Sequence, residues 1–195
     1  MAISPADPKQ TPWFLRLFFW NQKRKYGEVL QSGLYWARSP RLFAGVAVLY
    51  GMIDRRSSPI EPVLRSLVTV RVSQINWCSF CVDINSMTLM KRGADRAKVE
   101  NLDIWRDSDL FSPRERIALE YAEAMTYSDR QVEPELMARV REHFDEDGVV
   151  ELTGLVAFQN LSSKFNAALG VPPQGFCRVP VKMGDGTALP VPAET

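Results

Sequence analysis

Residues 64–81 read LRSLVTVRVSQINWCSFC, and this stretch combines a helical apolar pattern with two closely spaced cysteines. The apolar side chains recur at intervals of three and four residues: Leu64, Leu67, Val68, Val72 and Ile75. This spacing is typical of a helix that buries one face in a protein core. Cys78 and Cys81 follow directly, at the point where we predict that the next helix begins. The stretch therefore predicts two consecutive helices joined at a pair of cysteines.

The spacing of Cys78 and Cys81 permits redox chemistry. Two cysteines separated by two residues lie within one helical turn and can form a disulfide with little backbone movement. A helix N-terminus also stabilises a thiolate through its dipole and its free N–H groups, which lowers the pKa of a thiol placed there. We therefore predict a reactive pair, although the motif alone is also compatible with a metal half-site or with two ordinary buried thiols.

Composition restricts the class of protein. The chain has 195 residues, 46% of them hydrophobic, which suits one compact domain or a domain with an extension. The net charge of +1 gives no reason to expect a nucleic-acid partner. Three cysteines do not resemble a secreted disulfide scaffold. We find no signal-peptide pattern and no apolar run long enough to cross a bilayer, so we predict a cytoplasmic protein with no membrane partner.

The single histidine, His143, excludes metal sites that need several histidines from one chain. A zinc site built from Cys78, Cys81, Cys177 and His143 has suitable ligand types, but no local spacing pairs Cys177 with His143. We therefore keep zinc only as an alternative and predict neither a metal nor a cofactor. Cys177 follows a Pro-Pro-Gln-Gly-Phe turn, where we predict a buried thiol that anchors the C-terminal tail.

Strand signals are scarce and most apolar residues recur at helical spacing, so we predict an all-α fold. A hydroxyl residue followed by proline marks four helix starts: Thr11-Pro12, Ser39-Pro40, Ser58-Pro59 and Ser112-Pro113. The last two continue into glutamate and are predicted to form capping boxes, at 58–61 and 112–115. The remaining helices are predicted within 13–36, with Gly27 and Gly33 as breaks, and over 40–53, 81–91, 95–101, 134–143 and 149–169. Five prolines after Val171 predict an irregular, partly disordered tail.

Residues 13–20, WFLRLFFW, are unusually aromatic and precede three basic residues. An amphipathic helix on a membrane surface is one interpretation. Apolar side chains occupy nearly all sides of the segment, however, and this favours packing against a neighbouring subunit or the protein's own core.

Residues 64–81 resemble the carboxymuconolactone decarboxylase and AhpD-like alkylhydroperoxidase superfamily, and residues 170–177, GVPPQGFC, look like the end of that domain. The resemblance covers about 39–177, which leaves 1–38 as an N-terminal helical extension and 178–195 as a proline-rich tail. It implies an all-helical fold that assembles into homo-oligomers, usually trimers or hexamers. It also implies that the aromatic N-terminal helices contact other subunits or cover a pocket.

The resemblance implies roles for both cysteines. In the peroxidase members the second cysteine attacks the hydroperoxide and the first one resolves it, which assigns these steps to Cys81 and Cys78. An unidentified thiol or protein electron donor would then reduce the disulfide. The decarboxylase branch uses no cysteine pair, so the pair argues against that branch here.

Two positions depart from the family pattern. The histidine that follows the second cysteine by four residues is Asn85 here, and the glutamate of the upstream helix corresponds to Ser66. Asparagine cannot take up a proton and serine is a poor base, so the proton relay is absent. General acid–base catalysis is typically worth ~100- to 10,000-fold in rate, which predicts a slow peroxidase. Asn85 and Ser66 would then orient substrate or water; the alternative is a redox-responsive binding protein without catalysis.

Overall fold

The computed structural model of the chain describes residues 3–189, and the fold over these residues is all-α, as predicted. The helices are α1 (Trp13–Tyr26), α2 (Gln31–Trp36), α3 (Pro40–Ile53), α4 (Pro62–Ile75), α5 (Ser79–Lys91), α6 (Arg96–Glu100), α7 (Pro113–Thr126), α8 (Pro134–Arg141) and α9 (Glu146–Ala168). Two 3₁₀ segments cover Pro8–Gln10 and Leu102–Asp107. Between residues 3 and 189 no β-strand forms, and the only bridge is an isolated antiparallel one between Lys182 and Ala188.

Helix α4 lies at the centre of the protein and packs against α5, α7 and α9. Eleven of its fourteen residues are buried, so it is enclosed on nearly every side. The predicted apolar stripe accounts for only part of this burial, because Arg65, Ser66, Arg71, Ser73 and Gln74 are buried as well. Buried polar groups need hydrogen-bond partners, so these side chains fix which elements can lie beside α4.

One such partner is Glu123 of α7. Arg71 donates from Nε to Glu123 Oε1 over 2.7 Å, and Trp105 Nε1 donates to the same oxygen over 2.8 Å. Arg106 pairs with the other carboxylate oxygen. Burial disfavours the charged form of Glu123, but Arg71, Trp105 and Arg106 outweigh it and lower the pKa of the carboxyl. The cluster joins α4 and α7 to the segment that precedes α7.

The two predicted capping boxes have different outcomes. The box at 112–115 is confirmed, because Ser112 Oγ accepts from the Glu115 N–H and the Glu115 carboxylate accepts from the Ser112 N–H. The box at 58–61 is wrong, because α4 begins only at Pro62. A proline disfavours the helical conformation of the residue before it, and Glu61 is accordingly extended, with ψ at 144°.

Most other helix predictions agree with the structure. The helix over 40–53 is confirmed, and Asp95 caps α6 through its carboxylate as predicted. The predicted break at Gly27 is confirmed, whereas the break at Gly33 is wrong, because Gly33 lies inside α2. Helix α8 ends at Arg141, two residues earlier than expected, and α9 begins three residues earlier, where Asp145 caps it.

The C-terminal tail is irregular, as predicted, but residues 171–189 pack against the core. Cys177, Val179, Val181 and Met183 are buried beside side chains of α4, α5 and the 3₁₀ segment at 102–107. Asp83 of α5 accepts the backbone N–H groups of Gln174 and Cys177 over 2.8 and 2.7 Å, and so holds the turn in place. Residues 190–195, the end of the tail that was predicted to be partly disordered, lie outside the described residues.

The turn that joins α4 to α5 is a Schellman motif. The Trp77 N–H donates to the Gln74 carbonyl and the Cys78 N–H donates to the Ser73 carbonyl, which is the hydrogen-bond pair that defines this motif. The same pair of bonds ends α5 at Gly93 and α9 at Gly170, and both glycines have positive φ. In the α4 motif this position is Trp77, with φ at 57°. Trp77 therefore has a strained backbone immediately before the cysteine pair.

Replacement of Trp77 tests this strain. The side chain is 57% exposed and loses little contact, while a left-handed residue with a Cβ costs about 1–2 kcal/mol. We expect Trp77→Gly to change the free energy of unfolding by no more than about 1 kcal/mol, because relief of strain offsets the added chain entropy. Trp77→Val should lower it by more than about 1 kcal/mol, because a β-branched side chain tolerates positive φ poorly. Urea denaturation measures both.

A matched control is Gly170→Ala. An added Cβ at Gly170 would meet no atom within 4 Å, so only the positive φ of 64° penalises the alanine. We expect a loss of about 1 kcal/mol. A strongly destabilised Trp77→Gly protein beside this control would contradict the assignment of strain to Trp77.

Candidate active site

Cys78 and Cys81 lie at the start of α5, as the sequence predicts. Cys78 is the N-cap residue of the helix, and its Sγ accepts the backbone N–H of Cys81 over 3.2 Å. The relative exposures of Cys78 and Cys81 are 1% and 3%, and both are free thiols. A thiol in place of the usual hydroxyl or carboxylate therefore caps the helix.

The expectation of a lowered thiol pKa is wrong for Cys78. Burial, followed by the hydrogen bond and the charge interaction with Cys81, raises the pKa of the Cys78 thiol well above its ordinary value. The backbone N–H of Cys81 acts in the opposite direction but is outweighed. Desolvation at this helix N-terminus is therefore stronger than the helix dipole, and Cys78 is held as a protonated thiol.

A cavity of about 310 Å³ lies beside the cysteine pair, bounded by α1, α2, α3, α5 and α9. Cys81 is among the residues that line it, whereas Cys78 is not. The walls are rich in aromatic and aliphatic side chains, among them Phe18, Trp36, Phe43, Phe80, Ile84 and Phe158. Cys81 is therefore accessible from a largely apolar cavity, whereas Cys78 is not.

Uncharged polar side chains surround Cys81 on the cavity side. Asn166 of α9 donates from Nδ2 to Cys81 Sγ over 3.2 Å, and Ser32 of α2 donates to Asn166 Oδ1 over 2.9 Å. Asn85, one turn beyond Cys81 on α5, lines the same cavity. Lys25, on the exposed face of α1, is the one charged side chain among the described residues that line it. The walls therefore carry hydrogen-bonding groups but no carboxylate and no histidine.

Asn85 and Ser66 have separate surroundings. Asn85 Nδ2 donates to Ser73 Oγ over 3.4 Å, and Gln159 Nε2 donates to the same hydroxyl over 2.8 Å. Ser66 lies two helical turns before Ser73 on α4, and its hydroxyl accepts from Arg92 over 3.0 Å. Ser66 does not line the cavity. The α4 residue that faces Asn85 is therefore Ser73.

Sequence reasoning did not identify Ser32, Ser73, Gln159 and Asn166. Gln159, Ser162 and Asn166 recur at intervals of three and four on α9, which is otherwise largely apolar on its buried side. All three line the cavity. A polar stripe within an apolar helix is a signal that could have revealed Gln159 and Asn166, whereas no such signal marks Ser32 or Ser73.

The four residues of the zinc hypothesis do not come together. Over residues 3–189 no group of three or more His, Cys, Asp or Glu side chains could hold a metal ion. Cys177 is buried against the core, and its thiol donates to the Val179 carbonyl. His143 lies between α8 and α9, where its carbonyl accepts from Arg114. In the same described range, no helix is long and apolar enough to cross a membrane.

Comparison with known proteins identifies the family. The model of the carboxymuconolactone decarboxylase family matches residues 28–124. The uncharacterised protein YnjA of Escherichia coli K12 is 44% identical over 182 residues, which cover 93% of this chain and 99% of YnjA. This chain belongs to the carboxymuconolactone decarboxylase family. The resemblance carried by residues 64–81 is thereby confirmed.

Solved structures agree on the fold. One is the alkylhydroperoxidase AhpD core of an uncharacterised peroxidase-related protein from Ralstonia eutropha JMP134. It superposes with a TM-score of 0.81 at 19% sequence identity, and the match covers 89% of this chain and 92% of the Ralstonia chain. A cysteine-to-alanine variant of the debrominase Bmp8 in complex with 2,3,4-tribromopyrrole has a TM-score of 0.78 and 20% identity and covers 90% and 93%. At these identities the likeness establishes an AhpD-like helical fold for this family member.

The geometry predicts an order of thiol reactivity in this family member. Cys81 lines the cavity, while burial raises the pKa of the thiols of Cys78 and Cys177. We expect a short pulse of iodoacetamide at neutral pH to label Cys81 before the other two cysteines, because the thiolate is the reacting species. Peptide mapping by mass spectrometry measures the order. Urea-unfolded protein, in which the three thiols should react alike, is the control. Faster labelling of Cys78 in the folded protein would contradict the assignment.

Proposed function

We propose that this protein is an AhpD-like thiol reductase that reduces organic hydroperoxides through Cys81 and Cys78. The observation that carries the proposal is the position of Cys81 in the cavity wall, with Cys78 one turn away at the start of the same helix. A substrate in the cavity meets Cys81 first, and Cys78 is placed to close the disulfide afterwards. Family membership and the AhpD-like fold support the same chemistry.

The reaction has two steps. The Cys81 thiolate attacks the terminal peroxide oxygen, so that an S–O bond forms and the O–O bond breaks. The leaving alkoxide takes a proton from water and departs as the alcohol. Cys78 then loses its proton and attacks the sulfenic acid of Cys81 as the thiolate, the S–S bond forms as the S–O bond breaks, and the departing hydroxide takes up that proton and leaves as water. An external thiol or a dithiol protein reduces the disulfide and returns both cysteines to the thiol state.

The lining of the cavity favours an apolar substrate. Aromatic and aliphatic side chains form most of the wall, and its polar groups are mainly amides and hydroxyls. Burial of an organic substituent there is favourable at roughly 25 cal/mol per Å² of apolar surface, an advantage that hydrogen peroxide lacks. We therefore propose an organic hydroperoxide with a bulky apolar group as the substrate class.

Intact mass measurement tests the proposal. Reduced protein is mixed with one equivalent of cumene hydroperoxide, and the expected product has lost two hydrogen atoms, with Cys78 joined to Cys81 on peptide mapping. Cys81→Ser should abolish the consumption of hydroperoxide, because the attacking sulfur is absent. Cys177→Ser is the matched control and should react as the wild type does. A Cys81→Ser protein that consumes hydroperoxide at the wild-type rate would overturn the proposal.

Reductive dehalogenation of an aromatic halide is a second candidate. Aromatic rings form part of the cavity wall, and the described residues that line it include no carboxylate or histidine. The structurally similar Bmp8 is a debrominase that was solved with 2,3,4-tribromopyrrole. In this reaction a C–H bond replaces a C–Br bond, the two thiols become a disulfide, and one bromide ion and one proton are released. Bromide release from 2,3,4-tribromopyrrole by reduced protein tests it. If Cys78 and Cys81 stay reduced with both cumene hydroperoxide and 2,3,4-tribromopyrrole, the result would favour the alternative that the protein is a redox-responsive binding protein without catalysis.

We propose that the protein is a cytoplasmic homo-oligomer. Its three free cysteines suit a reducing compartment. Large apolar side chains are exposed on two adjoining helices, namely Trp13, Leu17 and Trp20 of α1 and Leu42, Val48, Leu49 and Met52 of α3. So many exposed large apolar side chains on two helices suit contact between subunits.

Light scattering tests the assembly. We expect a mass that is a multiple of the chain mass of 22.1 kDa. The double variant Val48→Glu with Met52→Glu should reduce it, because two carboxylates on one face of α3 would be desolvated in an interface. Val150→Glu, an equally exposed valine position on α9, is the control and should leave the mass unchanged. A wild-type mass of 22.1 kDa at micromolar concentration would contradict this proposal.

A further inference from the structure

We propose that Asn166 is a catalytic residue that stabilises the Cys81 thiolate by donating a hydrogen bond from its side-chain amide. The inference rests on the proposed function, because it concerns the nucleophile of that reaction. Asn166 has a relative exposure of 1%, and its Nδ2 lies 3.2 Å from Cys81 Sγ. It comes from α9, whereas the positions that the family pattern singles out lie on α4 and α5.

The backbone of Asn166 is fixed. Its carbonyl accepts the Val171 N–H over 3.0 Å, in the Schellman motif that ends α9 at Gly170. The side chain therefore extends from a helix turn whose hydrogen bonds are complete. A donor held in place before the charge forms stabilises that charge without a cost of reorganisation.

Ser32 binds the carbonyl end of the amide. Its hydroxyl donates to Asn166 Oδ1 over 2.9 Å, and the NH₂ group at the other end donates to the sulfur. Ser32 itself lines the cavity. The Ser32–Asn166–Cys81 chain of hydrogen bonds thus links the cavity wall to the nucleophile.

The surroundings of Cys81 explain why such a donor matters. The backbone N–H of Cys81 is used by Cys78 Sγ. The other ionisable side chains that face this region are Lys25 and Tyr26 of α1, Tyr50 of α3, and Tyr35 and Cys78 in the cluster packed around Cys81. Over residues 3–189 the side chain that donates to Cys81 Sγ is that of Asn166. A hydrogen bond to an ionised group is about twice as strong as one between neutral groups, so this bond favours the thiolate over the thiol.

Alkylation measures this effect without any substrate. Iodoacetamide forms an S–C bond with the Cys81 thiolate and releases iodide, so its rate follows the thiolate fraction. In Asn166→Leu, which keeps the branched shape of the side chain but removes its hydrogen-bonding groups, we expect the midpoint of the pH profile of Cys81 alkylation to rise by about one unit and the rate at neutral pH to fall about tenfold. Peptide mapping assigns the label to Cys81.

Two further variants keep the test decisive. Asn166→Asp preserves the shape of the side chain but places a carboxylate against the sulfur, and we expect a larger rise in the midpoint than for leucine. Ser32→Ala should give a smaller rise in the same direction, because the amide loses its orientation. If Asn166→Leu does not fold, the aspartate and Ser32→Ala profiles decide the question.

Asn160→Leu is the matched control. Asn160 lies on the same helix, donates to Thr126 Oγ1 and the Val156 carbonyl, and accepts from Asn76 Nδ2, so it makes no hydrogen bond to either cysteine. It should lower the thermal midpoint without moving the alkylation profile. An unchanged profile in folded Asn166→Leu or Asn166→Asp protein would overturn the proposal. The alkylation assay contains neither hydroperoxide nor halide, so it tests the role of Asn166 independently of the reductase proposal. If the alkylation profile shifts in the variants but the wild-type protein turns over neither substrate, the reductase proposal fails and the inference about Asn166 stands.

Discussion

The enclosure of α4 is the constraint on which the rest of the structure depends. A helix with eleven buried residues out of fourteen cannot expose its polar side chains to water, so each requires a partner from a neighbouring segment. Arg71 takes Glu123 from α7, and Gln74 donates to the Lys182 carbonyl of the tail over 2.7 Å. Ser73 accepts from Gln159 of α9 and from Asn85 of α5. The polar residues of one helix thereby position α5, α7, α9 and the tail.

The cysteine pair is attached directly to this central helix. The Schellman turn at Trp77 reverses the chain within three residues, so Cys78 both completes the end of α4 and caps α5. In the reduced protein Cys78 Sγ accepts the N–H of Cys81. If a disulfide formed, Cys78 Sγ would turn towards Cys81 Sγ. The first turn of α5 would then lose the capping hydrogen bond from the Cys81 N–H and gain a covalent S–S bond. Asp83 follows Cys81 by two residues and accepts the backbone N–H groups of Gln174 and Cys177. The first turn of α5 is therefore linked to residues 174–177 of the tail.

The sequence was sufficient for the helices and for the cysteine pair, because both depend on local patterns. It failed where distant partners decide. The capping box at 58–61 is a local exception, because Pro62 outweighs the capping signal of Ser58. Ser66 matches the position of the family glutamate only by its distance along the chain. In the structure its hydroxyl contacts Arg92, so a glutamate at this position would pair with that arginine. The raised pKa of the Cys78 thiol and the contact between Asn166 and Cys81 arise from burial by α9 and the tail, which no local pattern contains.

A cavity lined by amides and hydroxyls instead of acid–base groups changes what limits the proposed reaction. Amides cannot carry protons, but they can stabilise a thiolate, so attack by Cys81 retains electrostatic help while the leaving group must draw its proton from water. Cys78 lacks such help, because burial raises the pKa of its thiol and keeps it protonated. A sulfenic acid, however, is resolved by a thiolate. The first step is therefore favoured over the second. We therefore propose that the sulfenic acid of Cys81 persists until Cys78 loses its proton and that closure of the disulfide limits the rate of the cycle.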